Sequence, residues 1–173
     1  MANLYQLENG PMPTTAAQAA VTTGVTIKTM LQVKLGASTN QPAKVVEWGI
    51  SFDGSAAATP IKCELLTTGT VGATITEFVA ADITSLDSNT AAVTDDFPFA
   101  FTAAGDESGY TGTAEGSIVA TRMFDVQFIA PTNQYVKQWP LGREPMFKAT
   151  EFLRVRVTAG TAVNAYCYVV IEI

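Results

Sequence analysis

The last eleven residues of the chain alternate with a period of two, and both phases of the alternation are largely apolar. The first phase reads Val163, Ala165, Cys167, Val169, Ile171 and Ile173, and the second reads Asn164, Tyr166, Tyr168, Val170 and Glu172. Because side chains alternate between the two faces of a strand, a half-buried strand has one polar face. A strand that is apolar on both faces needs cover on both sides, from its own domain or from another subunit. This segment therefore favours an assembly component over an enzyme.

Similar alternation recurs along the chain and predicts about eight strands. The other alternating segments begin near Val25, Val46, Ile61, Phe97, Ile118, Tyr135 and Leu153. Turns rich in Gly, Pro, Asp and Ser separate them, and no segment has the pattern of a long amphipathic helix. Residues 74–86 fit either a strand or a short helix, and residues 102–117 are expected to form a loop. The pattern predicts an all-β fold, an antiparallel β-sandwich of jelly-roll type.

The first 24 residues differ from the rest in having two prolines and a Thr/Ala-rich stretch that ends at Gly24. We expect an extended N-terminal arm over residues 1–24, followed by a single β-sandwich domain over residues 25–173. A chain of 173 residues is long enough for one domain with a sound core. The beginning of the chain lacks the pattern of a signal peptide, and no apolar run is long enough to span a bilayer. We therefore expect synthesis in a cytoplasm.

Charge is sparse and unevenly distributed. Only 15% of the residues are charged, against roughly a quarter in typical soluble domains. No Lys or Arg occurs from Cys63 to Thr121, a stretch with nine carboxylates, whereas six basic and four acidic residues follow from Arg122 onward. This separation suits head-to-tail docking between copies or onto a charged partner, or else a solvated acidic surface. With a pI of about 4.5, nucleic-acid binding is not expected.

The absence of histidine narrows the possible chemistry. It excludes Ser-His-Asp and Cys-His nucleophile systems and the zinc hydrolase motifs, and the glycine spacing matches no phosphate-binding loop. Cys63 and Cys167 fall on apolar strand phases, so we expect two buried thiols, with a disulfide between them as the alternative. We expect neither enzymatic activity nor a cofactor.

Two adjacent acidic pairs, Asp95-Asp96 and Asp106-Glu107, lie in expected loops. Turn formation and solvated charge account for them most simply. Two alternatives stay open: a carboxylate pair for glycoside hydrolysis, and a calcium site built from loop oxygens, although the spacing matches no EF-hand.

Several segments between about residue 43 and the end of the chain resemble one group of proteins. These segments are VEWGISFDGSAAATP at 46–60, IKCELL at 61–66, ATRMFDVQFIAP at 120–131, PLGREP at 140–145, RVRVT at 154–158 and YCYVVIE at 166–172. Together they are similar to small β-rich virion structural proteins of tailed bacteriophages. The similarity runs across strands and turns and contains no catalytic motif.

The resemblance implies a non-enzymatic component of a phage particle, assembled in the host cytoplasm and located in the virion. Such proteins include capsid decoration (cement) proteins, which are often trimeric and sit where capsid subunits meet, minor capsid proteins and tail proteins. We therefore expect a homo-oligomer, in particular a homotrimer, that binds the major capsid protein and stabilises the assembled lattice. Neither nucleic acid nor a membrane is expected as a partner.

Two sets of residues are predicted to carry these contacts. For self-association they are Phe97, Phe99, Phe101, Tyr166, Tyr168 and Val170. For the capsid they lie in the arm and are Leu4, Tyr5 and Leu7. The alternative function is a tail-associated receptor- or glycan-binding module that uses Trp139, Tyr110 and the acidic loops. Trp48 is expected in the core because it is in phase with apolar neighbours.

Overall fold

The computed structural model describes residues 3–13, 15–55, 58–90, 93–95, 97–101, 107–116 and 119–173, and these residues build two antiparallel sheets packed face to face. The strands are β1 (Leu4–Glu8), β2 (Val21–Thr22), β3 (Ile27–Lys34), β4 (Ala43–Asp53), β5 (Ile61–Thr68), β6 (Thr74–Glu77), β7 (Thr84–Ser85), β8 (Thr94–Asp95), β9 (Pro98–Phe99), β10 (Gly109–Ala114), β11 (Ala120–Ile129), β12 (Gln134–Gln138), β13 (Met146–Phe147), β14 (Phe152–Thr158) and β15 (Asn164–Glu172). A single 3₁₀ turn, Ala80–Asp82, lies between β6 and β7. The predicted all-β sandwich is confirmed, and its jelly-roll topology stays a prediction.

The order of the strands defines two lateral edges of the sandwich. One sheet has the order β12–β4–β15–β1–β7, with β13 also pairing β4 and β2 also pairing β15. The other sheet has the order β11–β5–β14–β3–β10–β6. A hydrogen bond from Tyr135 of β12 to Asp125 of β11 brings these two end strands together as one lateral edge, and among the described residues β6 and β7 end the two sheets on the other side. A short parallel pair, β8 and β9, lies outside both sheets.

The core lies between the inner faces of the two sheets. The odd phase of β15 points inward, as its fully apolar pattern predicts, and Trp48 on neighbouring β4 is completely buried. Cys63 on β5 and Cys167 on β15 are both buried and both free, so the expectation of buried thiols is confirmed and the disulfide alternative is wrong. Burial raises the pKa of the Cys63 thiol to about 12 and places that of Cys167 well above its ordinary value.

The structure corrects the predicted arm over its first part. Leu4–Glu8 is not extended away from the domain: it is strand β1, which pairs with β15 on one side and with β7 on the other. Within it, Leu7 lies opposite Val169, so the strand supplies side chains to the same inner face as β15. Val21–Thr22 forms a second short pairing with β15. Most of the described side chains between these two strands are exposed.

Two other segments also differ from the expectation. Residues 109–114, expected within a loop, form β10, which pairs β3 and β6. Over residues 74–86 the structure shows both alternatives in part, with two short strands joined by the 3₁₀ turn. The segment that begins at Phe97 contributes only the two-residue strand Pro98–Phe99.

Candidate interaction surface

The predicted capsid contacts in β1 are mostly core residues. Tyr5 and Leu7 are 1% and 0% exposed, and the Tyr5 ring packs edge-on against Phe99 with ring centroids 5.5 Å apart. The prediction that these two side chains contact a capsid is therefore wrong, because strand alternation turns both of them inward. Leu4, on the opposite phase, is half-buried and lies across from Glu172 of β15.

The six predicted self-association residues do not form one surface. Phe99, Phe101 and Val170 are 0%, 3% and 9% exposed, so the prediction is wrong for these three. Phe99 lies in the core cluster, and the partners that bury it belong to the same chain. Phe97 is exposed and lines a cleft of about 270 Å³ that also contains Ile173.

Tyr166 and Tyr168 are half-buried on the outer face of β15, and each lies beside a carboxylate. Tyr168 Oη donates to Glu47 Oε1 of β4 at 2.5 Å, and Glu8 of β1 lies close enough to Tyr166 to raise the pKa of its hydroxyl. The two rings lie 6.2 Å apart between centroids. We call the outer surface formed by Tyr166, Tyr168, Glu8, Glu47 and Gly49 the tyrosine face.

Gly49 lets the Tyr168 ring lie flat on the sheet. The two residues are opposite each other on β4 and β15, and a Cβ atom at Gly49 would be 2.5 Å from a ring carbon of Tyr168. A side chain at this position would therefore push the ring outward. Packing an aromatic ring over a cross-strand glycine also shields the glycine backbone from water, which compensates for the missing side chain.

The two hydroxyls of the tyrosine face stay protonated over the physiological range. Burial and the hydrogen bond to Glu47 raise the pKa of Tyr168 to about 12. Burial and the neighbouring Glu8 raise the pKa of Tyr166 as well. Both hydroxyls therefore remain protonated donors, and each carboxylate keeps further lone pairs that can accept hydrogen bonds from a partner. The face is acidic and rich in acceptors.

A second polar cluster, around Asp125, joins the two sheets at the β11–β12 edge. Asp125 Oδ2 of β11 accepts from Trp48 Nε1 at 3.1 Å and from Tyr135 Oη at 2.9 Å. Its Oδ1 accepts from Gln127 Nε2 at 3.0 Å and lies 3.3 Å from Lys137 Nζ. Burial by itself would raise the pKa of Asp125, but the hydrogen bonds and the lysine charge outweigh it and lower that pKa. The cluster is structural, since its carboxylate is saturated by this chain.

Arg154, on the outer face of β14, is a completely buried cation. Its Nη2 donates to Val71 O at 2.7 Å, its Nη1 is 3.8 Å from Glu115 Oε2, and its guanidinium lies 5.4 Å from the centre of the Phe152 ring. Nε and Nη1 have no hydrogen-bond acceptor in the part of the chain that the structure describes. Burial lowers the pKa of Arg154 to about 10, which leaves it charged at neutral pH. The β5–β6 connection that carries Val71 covers it.

The aromatic residues of the alternative function do not form an open platform. Trp139 is half-buried against the core, and Lys137 Nζ lies 5.2 Å from its ring centre. The Tyr110 ring packs against Phe78 at 5.5 Å. A cleft of about 310 Å³ lies elsewhere, beside the ends of β4 and β15, and its lining includes Asp53 and Tyr166 but neither Trp139 nor Tyr110.

The acidic pairs lie partly outside the described residues, which include Asp95 and Glu107 but not Asp96 and Asp106. The Asp95 carboxylate accepts from the Phe101 backbone N at 2.9 Å. Across the described ranges, no group of three or more His, Cys, Asp or Glu side chains is placed to hold a metal ion. No helix among those ranges is long and apolar enough to cross a membrane.

Sequence reasoning identified the two tyrosines but missed the residues that orient them. Glu8 and Glu47 occupy the polar phase of their strands, which indicates only that they point away from the core. Their proximity to the tyrosines depends on β1 and β4 flanking β15, a strand order that periodicity does not encode. Comparison of the chain with protein-family models, with curated proteins and with solved structures finds no match.

Proposed function

We propose that this chain is a non-enzymatic structural protein of a tailed-phage virion, a capsid decoration or minor capsid protein. It binds the assembled lattice of the major capsid protein, self-associates as a homotrimer, and stabilises the particle. Two features support the proposal. One is the set of segments that resemble β-rich virion proteins, and the other is the tyrosine face, which lies on a sandwich in which β1 pairs with β15. Assembly would take place in the host cytoplasm.

The observation that carries the proposal is the preorganised tyrosine face. Tyrosine supplies a large contact area with few rotatable bonds, and here the Tyr168 ring is already held by its hydrogen bond to Glu47 and by packing on Gly49. Ordering a surface before binding reduces the entropy lost on association, so more of the contact energy appears as affinity. A flat, rigid and acceptor-rich face fits another folded protein surface better than a small molecule, which needs a concave site. The partner surface should present donors such as Lys, Arg or backbone N–H groups.

The stabilising mechanism is mass action on the assembled state. A protein that binds the lattice and not the separate capsid subunits shifts the equilibrium toward the lattice in proportion to its free concentration over its Kd. A homotrimer seated where capsid subunits meet would present three copies of the tyrosine face. Linked contacts raise the overall affinity well above that of one copy, provided that the geometry allows them to engage together.

The test is co-sedimentation of the purified protein with capsids assembled from the major capsid protein of the phage that encodes it. The double variant Tyr166→Ala/Tyr168→Ala should weaken capsid binding by about tenfold or more, as expected for aromatic residues at the centre of an interface. The control Val71→Ala, which shortens an exposed apolar side chain over the other sheet, should bind like the wild type. Thermal melts of all three proteins verify that each is folded.

Two results would overturn the proposal. One is equal binding of the wild-type protein to assembled capsids and to unassembled capsid subunits, which removes the stabilising mechanism. The other is specific binding of the isolated protein to host cells or glycans without binding to capsids, which would favour the tail-associated receptor- or glycan-binding function.

A further inference from the structure

We infer that copies of this chain associate head to tail, with the β11–β12 edge of one sandwich docked on the β6–β7 edge of the next. The inference rests on the self-association in the proposed function and names the two surfaces that carry it. These surfaces differ from the residues that the sequence pointed to, half of which are buried within one copy.

Exposed apolar side chains are concentrated on these two edges. Of the 13 large hydrophobic side chains that are exposed among the described residues, nine lie there. The β11–β12 edge, including the residue before β11 and the segment through β13, carries Val119, Met123, Phe128, Val136, Leu141 and Met146. The β6–β7 edge carries Met12, Val79 and Leu86. Their registers place Met123 and Phe128 on the outer face of the six-stranded sheet and Val136 and Met146 on the outer face of the seven-stranded sheet, so these side chains lie on both sides of the edge. Exposed apolar side chains on both margins of a sheet edge indicate a surface that another protein can cover.

Contacts within the chain place Met12 on the β6–β7 edge although it is remote from that edge in sequence. Its backbone N donates to Asp82 Oδ1 at 3.3 Å, and its sulfur accepts from Thr84 Oγ1 at 3.8 Å. The segment after β1 thus returns along this edge and adds an apolar side chain beside Val79. The result is an apolar strip bordered by carboxylates.

The charges of the two edges are complementary. The β6–β7 edge has Glu77, Asp82 and Asp87, and it lies in the part of the chain that contains no Lys or Arg. On the β11–β12 edge, Arg122 and Lys137 form ion pairs with Glu151 and Asp125 of the same chain. Two further cations, Arg143 and Lys148, are exposed there, against the single half-buried carboxylate of Glu144. This edge therefore keeps an excess of positive charge that can face the acidic edge of another copy.

This charge complementarity favours a second copy of the chain as the partner and a head-to-tail arrangement of the two copies. If an edge docked on the same edge of another copy, like charges would face each other, which costs free energy and disfavours that geometry. A head-to-tail contact uses two different surfaces of one chain, so it generates a closed ring when the rotation between copies divides a full turn. The proposed homotrimer is such a ring if each step is a third of a turn. Each interface of the ring then joins the β11–β12 edge of one copy to the β6–β7 edge of the next.

A charge-swap series measured by size-exclusion chromatography with light scattering tests this inference. Glu77→Lys/Asp87→Lys makes both edges basic, and Arg143→Glu/Lys148→Glu makes both acidic. Each double variant should weaken self-association by about tenfold or more, because like charges now meet. The quadruple variant, which has the net charge of the wild type, should recover association. Phe128→Ser should also weaken it, whereas Val25→Ser, at an exposed apolar residue away from both edges, should not.

The outcomes separate this inference from the proposed function. A wild-type protein that remains at 18.3 kDa at all concentrations, or a quadruple variant that associates no better than the double variants, overturns the head-to-tail contact. Capsid binding by such a monomer would leave the proposed function in place. Conversely, rescue by the quadruple variant together with no capsid binding would support the contact between copies and overturn the capsid role.

Discussion

Asp125 shows how one buried carboxylate can join two sheets. It accepts hydrogen bonds from Trp48 and Tyr135 of the seven-stranded sheet while belonging to the six-stranded one. We expect Asp125→Ala to lower the free energy of unfolding by about 3 kcal/mol, because it leaves buried donors and the Lys137 charge without their partner. Chemical denaturation measures the loss. Asp53→Ala, at an exposed carboxylate, should stay within about 0.5 kcal/mol of the wild type.

The same residue predicts a pH dependence of stability. The pKa of Asp125 is lower in the folded protein than its ordinary value, so the folded state favours the ionised form. The contribution is therefore complete above the unfolded pKa near 4 and is lost as the pH falls through the folded pKa. Between pH 6 and pH 3 the wild type should lose more stability than Asp125→Asn. Parallel curves for the two proteins would contradict this prediction.

Arg154 gives a contrasting prediction at the residue scale. Its guanidinium is buried, and within the described residues two of its nitrogens have no hydrogen-bond acceptor and one carboxylate, that of Glu115, lies in ion-pair range at 3.8 Å. Because the cost of burying the charge is poorly compensated, Arg154→Met should change the free energy of unfolding by less than about 1 kcal/mol. Arg154→Ala, which leaves a cavity, should cost about 3 kcal/mol. Equal losses in both variants would show that the charge itself stabilises the fold.

At the scale of elements, β10 depends on glycine. A Cβ atom at Gly109 would clash with the backbone oxygen of Thr76 and with the Ile75 side chain on β6. Gly109→Ala should therefore displace β6 and lower the free energy of unfolding by about 2 kcal/mol. Gly69→Ala provides the matched control, since nothing lies within 4 Å of its Cβ position. Amide hydrogen exchange should show faster exchange in β6 of the Gly109 variant only.

The need for glycine in β10 also helps to explain which strands the sequence could predict. The long strands β3, β4, β5, β14 and β15 bury one regular apolar phase, so period-two alternation identified them. Alternation also identified β11, but there the phase that contains Phe128 is exposed and the phase that contains Asp125 is buried. In β10 glycine replaces the apolar side chains, because close approach to β6 requires it, and the alternation disappears. Strand β1 alternates over only five residues, which is too short a pattern to predict a strand, so the sequence indicated an extended arm there. The tyrosine face was predicted in part, because its tyrosines lie on a recognisable strand whereas their partners come from β1 and β4.

At the scale of the whole molecule, the two cysteines report on whether the sandwich unfolds as one unit. Cys63 lies on the inner face of one sheet and Cys167 on the inner face of the other, and both are buried. Burial raises the pKa of both thiols, which suppresses the reactive thiolate in the folded state. Each can therefore be labelled only when the sheets separate and expose it to the reagent.

We accordingly expect both cysteines to react with a thiol reagent at pH 8 at one common rate, equal to the rate of global opening. Mass spectrometry after trypsin digestion resolves the two sites, and urea below the unfolding midpoint should accelerate both by the same factor. Asp125→Ala should accelerate both labelling reactions together, because the carboxylate joins the two sheets that enclose them. Faster labelling of Cys63 alone would instead indicate that the six-stranded sheet opens independently at the β11–β12 edge.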